Sequence, residues 1–75
     1  MSTGVVEQQL EFVNKSDRPM KIILEPWAEE CVLKAGEQCS VALETRPEDR
    51  GFEVHCYGDE IVIHFGTGSI AEFLE

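Results

Sequence analysis

The sequence predicts an all-β protein, a compact antiparallel β-sandwich of about seven short strands, with a small β-barrel as the alternative way of closing the same strands. Three observations lead there. Apolar residues recur with period two along nearly the whole chain, the pattern of strands that bury one face. Polar or glycine-containing turns divide the alternating runs at short intervals. No segment combines helical spacing with a capping residue.

Taken in order, residues 6–13 alternate Val6, Leu10 and Phe12 with Glu7, Gln9 and Glu11. The run Asn14-Lys15-Ser16-Asp17-Arg18-Pro19 is a turn. Residues 20–25 place Met20, Ile22 and Leu24 on one face and Lys21, Ile23 and Glu25 on the other. Pro26 has no amide hydrogen for a ladder, so it marks a sheet edge or a corner where the chain changes sheets. Cys31 and Leu33 resume the inward face with Glu30, Val32 and Lys34 opposite, and Gly36 turns the chain. Cys39, Val41 and Leu43 then alternate with Ser40, Ala42 and Glu44, and Arg46–Gly51 forms a second polar loop.

The next pair of strands fixes its own register. Gly58-Asp59 is a two-residue turn, and Gly58 at its first position suits a type II′ hairpin. Pairing Tyr57 with Glu60 sets Cys56 opposite Ile61, Val54 opposite Ile63 and Phe52 opposite Phe65, so each apolar residue meets an apolar partner. After the Gly66-Thr67-Gly68 bend, Ser69–Phe73 supplies a last short strand. The short strands and the corner at Pro26 favour the sandwich over the barrel.

Seventy-five residues allow one domain, spanning 1–73, with Leu74-Glu75 matching the scar that joins an insert to a purification tag. The 43% hydrophobic content is too high for disorder. Six Lys and Arg against fifteen Asp and Glu leave a net charge of −9, which repels phosphate backbones and anionic membrane surfaces. The first residues lack the basic start and apolar core of a signal peptide, and no apolar run reaches membrane-spanning length. A cytoplasmic, bacterial-style protein is therefore expected. Three cysteines without a CxxC spacing imply free thiols, and Cys31, Cys39 and Cys56 all fall on apolar strand faces as small buried hydrophobes.

One segment carries a resemblance. Leu24-Glu25-Pro26-Trp27-Ala28-Glu29-Glu30, followed by Leu33 and Ala35-Gly36-Glu37, is similar to a group of small, uncharacterised bacterial all-β proteins. Those share a strand ending in a Leu-Glu-Pro-Trp turn and a Pro-Gly-Glu hairpin about ten residues on, a pattern from which this chain departs at Ala35. The resemblance implies a cupredoxin-like or transthyretin-like sandwich and carries no activity with it.

Two functional classes follow from the residues. The first is an acidic, non-catalytic protein-interaction module with a basic protein as partner, such as a toxin or nuclease blocked by DNA mimicry. Trp27 is either carried into the core by a turn at Pro26, which its large apolar area favours, or left on the surface, where with Ile23 it would anchor the partner. The second is a small metal-binding β protein. The hairpin register makes His55 and His64 diagonal neighbours and sets Glu53 opposite His64, a donor set suited to zinc or copper. A type I copper site is excluded, because His55 precedes Cys56 and Met20 lies far from the end of the chain.

Catalysis and cofactors have no motif to support them. Ser40, Thr67 and Ser69 lack an activating partner, and His55 and Cys56 point to opposite strand faces. Gly66-Thr67-Gly68-Ser69 lacks the lysine and helix of a phosphate loop, and Glu25, Glu29 and Glu30 lack the spacing of a calcium loop. The chain is expected not to bind nucleic acid. Fluorescence-anisotropy titration with mixed DNA and RNA at low salt checks this, and saturable micromolar binding would contradict it.

Overall fold

The computed structural model describes residues 6–46, 51–66 and 68–74. Seven strands run in the order β1 (Val6–Val13), β2 (Met20–Glu25), β3 (Glu29–Leu33), β4 (Gln38–Thr45), β5 (Phe52–Tyr57), β6 (Glu60–Phe65) and β7 (Ile70–Leu74). They form a sandwich of a three-stranded sheet, β1-β4-β7, and a four-stranded sheet, β3-β2-β6-β5. Of the turns expected from sequence, residues 47–50 and residue 67 lie outside the described residues. Leu74 is part of β7, where it pairs with Ser40.

Alternation sorts the side chains as the sequence requires. Ile22, Leu24, Leu33, Val41, Leu43, Ile63, Phe65 and Ala71 form the buried core, with Leu10, Phe12, Cys31, Cys39, Ile61 and Phe73 packed around it. The four largest fully buried side chains, Ile22, Leu24, Leu43 and Ile63, come from β2, β4 and β6. Each of those strands has a neighbour on both sides, so its inward row is shielded laterally as well as from above.

The β5–β6 hairpin has the expected register, with Phe52 on Phe65, Val54 on Ile63 and Cys56 on Ile61. Gly58 adopts φ 65° and Asp59 is not left-handed, which is the backbone pattern of a type II′ turn. One pairing departs from an all-antiparallel sandwich: β2 and β6 run parallel, Ile22 beside Ile61 and Leu24 beside Ile63. The chain reaches β6 only after β3, β4 and β5, and that long excursion returns it in the direction in which β2 left.

The β1–β2 connection is organised by Asn14, which is completely buried. Its side-chain amide donates to the carbonyls of Arg18 at 2.7 Å and Leu33 at 2.9 Å. Its Oδ1 accepts from the Ser16 amide at 3.0 Å and the Ser16 hydroxyl at 2.6 Å. Its backbone N–H donates to Glu37 O at 2.9 Å, and its carbonyl accepts from Gly36 N–H at 2.8 Å. One residue at the end of β1 thus holds its own loop and the β3–β4 turn, which carries the chain from one sheet to the other. That turn is closed by Glu37, whose carboxylate accepts from Lys34 N–H at 2.8 Å, and Gly36 takes φ 83°.

At the β2–β3 turn the chain reverses through Pro26, Trp27 and Ala28, and Ala28 is left-handed at φ 59°. A Cβ in that region crowds the backbone. Two stability effects are expected from these loops. Asn14→Ala strips donors from two carbonyls in a closed site and lowers unfolding free energy by about 3 kcal/mol. Ala28→Gly relieves the left-handed Cβ and raises it by about 0.5–1 kcal/mol. Urea titrations of the two variants against the parent check both signs.

Candidate functional site

Each sheet presents an outer face, and the two differ in chemistry. In the three-stranded sheet, β1 pairs with β4 so that Glu7 meets Glu44, Gln9 meets Ala42 and Glu11 meets Ser40. On the far side of β4, Glu44 meets Ile70, Ala42 meets Glu72 and Ser40 meets Leu74. Residues directly opposite share a face. Val41 and Leu43 are buried, so these pairs form the solvent side. Four glutamates, Glu7, Glu11, Glu44 and Glu72, therefore share a surface on which Ile70 and Leu74 are exposed. None of the outward strand positions of this sheet carries a Lys or Arg.

This face is concave. A depression of about 400 Å³ lies on it, lined in part by Glu7, Gln9, Ala42, Glu44, Ile70 and Glu72. Ala42 on the central strand supplies the floor, since a longer side chain there would fill it. Two of the described cations are paired away from this face. Arg18 reaches Asp59 at 3.2 Å, and Lys21 reaches Glu30 at 3.7 Å on the other sheet; both pairs are solvent-exposed and contribute little to stability.

The outer face of the four-stranded sheet is mixed. Lys21 stands beside Glu60, Ile23 beside Val62 and Glu25 beside His64, with Tyr57, His55 and Glu53 completing the rows on β5. Here the structure brings together the sequence-derived set His55, His64 and Glu53. The two imidazole rings are 4.7 Å apart between centroids. His55 Nε2–H donates to Glu53 Oε1 at 3.0 Å, and the Tyr57 hydroxyl lies 3.5 Å from Nδ1. Among the described residues, no group of three or more His, Cys, Asp and Glu is arranged to hold a metal ion.

Trp27 and Ile23 do not share a face. Ile23 follows the outward row of β2, whereas the turn at Pro26 swings the indole onto Phe65 of the core at a centroid distance of 5.7 Å. Trp27 is 37% exposed there, partly covered at one end of the sandwich.

The cysteines are free, but their burial differs from the uniform burial expected of them. Cys31 and Cys39 are half-buried, whereas Cys56 is exposed, because β5 is the edge strand of the wider sheet and its inward row lacks a cover. Burial, and then the neighbouring Cys31, push the Cys39 thiol from 9.0 up to about 11.

The residues that sequence reasoning missed are Glu44, Glu72 and Ile70, which complete the acidic face. Glu44 was visible as an outward position of an alternating run. Its convergence with Glu7 and Glu72 depends on β4 lying between β1 and β7, which alternation does not encode. A scan against protein-family models finds no match, and searches of curated proteins and of solved structures find none either. Among the described residues no helix is long and apolar enough to cross a membrane.

A difference in thiol chemistry is expected. Near pH 9, iodoacetamide modifies exposed Cys56 first and Cys39 last, read by native mass spectrometry. The folded state holds the Cys39 proton after the unfolded chain has lost it, so this contribution to stability is complete below pH 9 and disappears as pH rises toward 11. Cys39→Ser should flatten that alkaline decline in urea titrations.

Proposed function

We propose that this protein is an acidic, non-catalytic interaction module that receives a basic protein surface on the outer face of β1-β4-β7. The observation that supports this reading best is the composition of that face. Glu7, Glu11, Glu44 and Glu72 lie on one twisted sheet without a cation among its outward strand positions, around a depression of about 400 Å³. Ile70 and Leu74 add exposed apolar area beside the charges.

The two features divide the work of recognition. Clustered carboxylates steer a cationic partner and orient it, while desolvated apolar contacts supply most of the affinity. The net charge of −9 extends the steering field over the whole surface and excludes polyanions. The metal-binding alternative has no comparable support: among the described residues no group of three or more His, Cys, Asp and Glu is placed to hold an ion.

An NMR titration with a lysine- and arginine-rich peptide at low salt tests the reading. Amide shifts should concentrate on Glu7, Gln9, Ala42, Glu44 and Glu72, and the association should weaken steeply as salt screens the field. Glu44→Lys combined with Glu72→Lys should abolish it without unfolding the domain, because both side chains are exposed. Shifts centred on the His55 face, or binding indifferent to these substitutions, would refute the assignment.

A further inference from the structure

We infer that β5 is a self-docking edge, at which two copies of this chain join antiparallel through Val54 into one continuous eight-stranded sheet. The starting point is where burial stops. Val54 points to the same side of the sheet as its direct partner Ile63, yet Ile63 is 0% exposed and Val54 is 50% exposed. Phe52 and Cys56, in the same row, are exposed as well. The boundary of the core thus runs between β6 and β5, and the fourth strand overhangs the three-stranded sheet below it.

Edges of sheets invite pairing unless something blocks them. The other three edge strands each carry a block. β3 points Glu29 inward opposite Leu24, and β1 points Gln8 inward opposite Leu43. β7 is short, and its inward Ala71 and Phe73 are already covered or half-covered. β5 has six residues, no proline, no lysine and no inward polar group, and its inward row Phe52, Val54, Cys56 meets solvent among the described residues.

A second copy of β5 fits this edge better than an arbitrary strand. A two-residue hairpin closes on a hydrogen-bonded pair, so Tyr57, His55 and Glu53 direct their backbone groups to β6, and Phe52, Val54 and Cys56 direct theirs to the open edge. In a two-fold antiparallel pair centred on Val54, Val54 meets Val54 and Phe52 meets Cys56, all with outward backbone groups. On the other side of the sheet each Glu53 then stands opposite a His55, so unlike groups face one another. The two exposed apolar rows become adjacent and shield each other. The contact is one strand wide, which places it among weak, concentration-dependent interfaces.

Sedimentation equilibrium from about 10 μM to about 1 mM reads the monomer–dimer balance. The unsubstituted chain should dimerise at the upper end, and added salt should strengthen the dimer by screening the repulsion between two copies of charge −9. That salt response is opposite in sign to the one expected for a basic partner on the other sheet, so either reading can fail alone. Val54→Lys sets two ammonium groups face to face at the axis and should leave a folded monomer. In a Cys56→Ser background, Val54→Cys should be joined to its counterpart by a short bismaleimide. Native Cys56 should not be, because this register separates it from its counterpart by four residues, about 14 Å along the strands. A chain that stays monomeric throughout overturns the inference. So does a dimer that survives Val54→Lys, or one that cross-links through Cys56 in preference to Val54→Cys.

Discussion

Asn14 is the constraint on which the sandwich depends. A sandwich needs its two sheets held in one relative position, and side-chain packing across a thin core tolerates sliding better than hydrogen bonds do. Asn14 lies at the end of β1 in one sheet and bonds Leu33 at the end of β3 in the other, while its backbone groups engage the turn that leads into β4. Every polar group of the residue that faces the interior has a partner, so burial of the amide carries no unmet hydrogen bond. Because these bonds reach two separate loops, they fix where β1 stops and where β4 starts. The β1–β4 register, and with it the row of glutamates on the outer face, follows.

Much of this architecture was legible in the sequence, and the reasons are local. Period-two alternation located the inward rows of β2, β4 and β6, because a strand buried on one face leaves little freedom in where its apolar residues fall. Gly58-Asp59 fixed a hairpin register to the residue, because a two-residue turn permits only one pairing of its flanks. What alternation cannot carry is strand order. It therefore could not indicate the parallel pairing of β2 with β6. Nor could it show that β5 ends the wider sheet, which is why Cys56 and Val54 read as core residues and turn out to be exposed. Asn14 read as one turn-former among several, since the bond that distinguishes it goes to Leu33, nineteen positions away. For Trp27 alternation left two placements open, because a turn at Pro26 cancels the phase that would set it beside Ile23, and the indole lies against Phe65.

The unequal strand count gives the molecule two sides of different character. The narrow sheet turns outward four glutamates with small and apolar side chains and no cation among its described outward positions, and the wide sheet turns outward a mixed row in which Glu25, Glu30, Glu53 and Glu60 stand among Lys21, His55, His64 and Tyr57. The extra strand of the wide sheet also creates the apolar overhang at β5, so the acidic surface and the open edge arise from the same asymmetry.

The strand order also sets how the chain must assemble. Only β2–β3 and β5–β6 are hairpins, whose partners meet across short loops. The three-stranded sheet has no such pair: Val13 must find Gln38, and Glu44 must find Ile70, with whole strands of the opposite sheet intervening. Closing those loops costs chain entropy before any ladder bond offsets it, and a fold dominated by such distant contacts forms slowly for its size. The two hairpins close across short loops, but an isolated hairpin is marginal in water, so both depend on the arrival of β4, the strand that β1 and β7 require. Until β4 docks between β1 and β7, the inward faces of Ile22, Leu24 and Ile63 stay open to water, and the newly made chain is at its most adhesive.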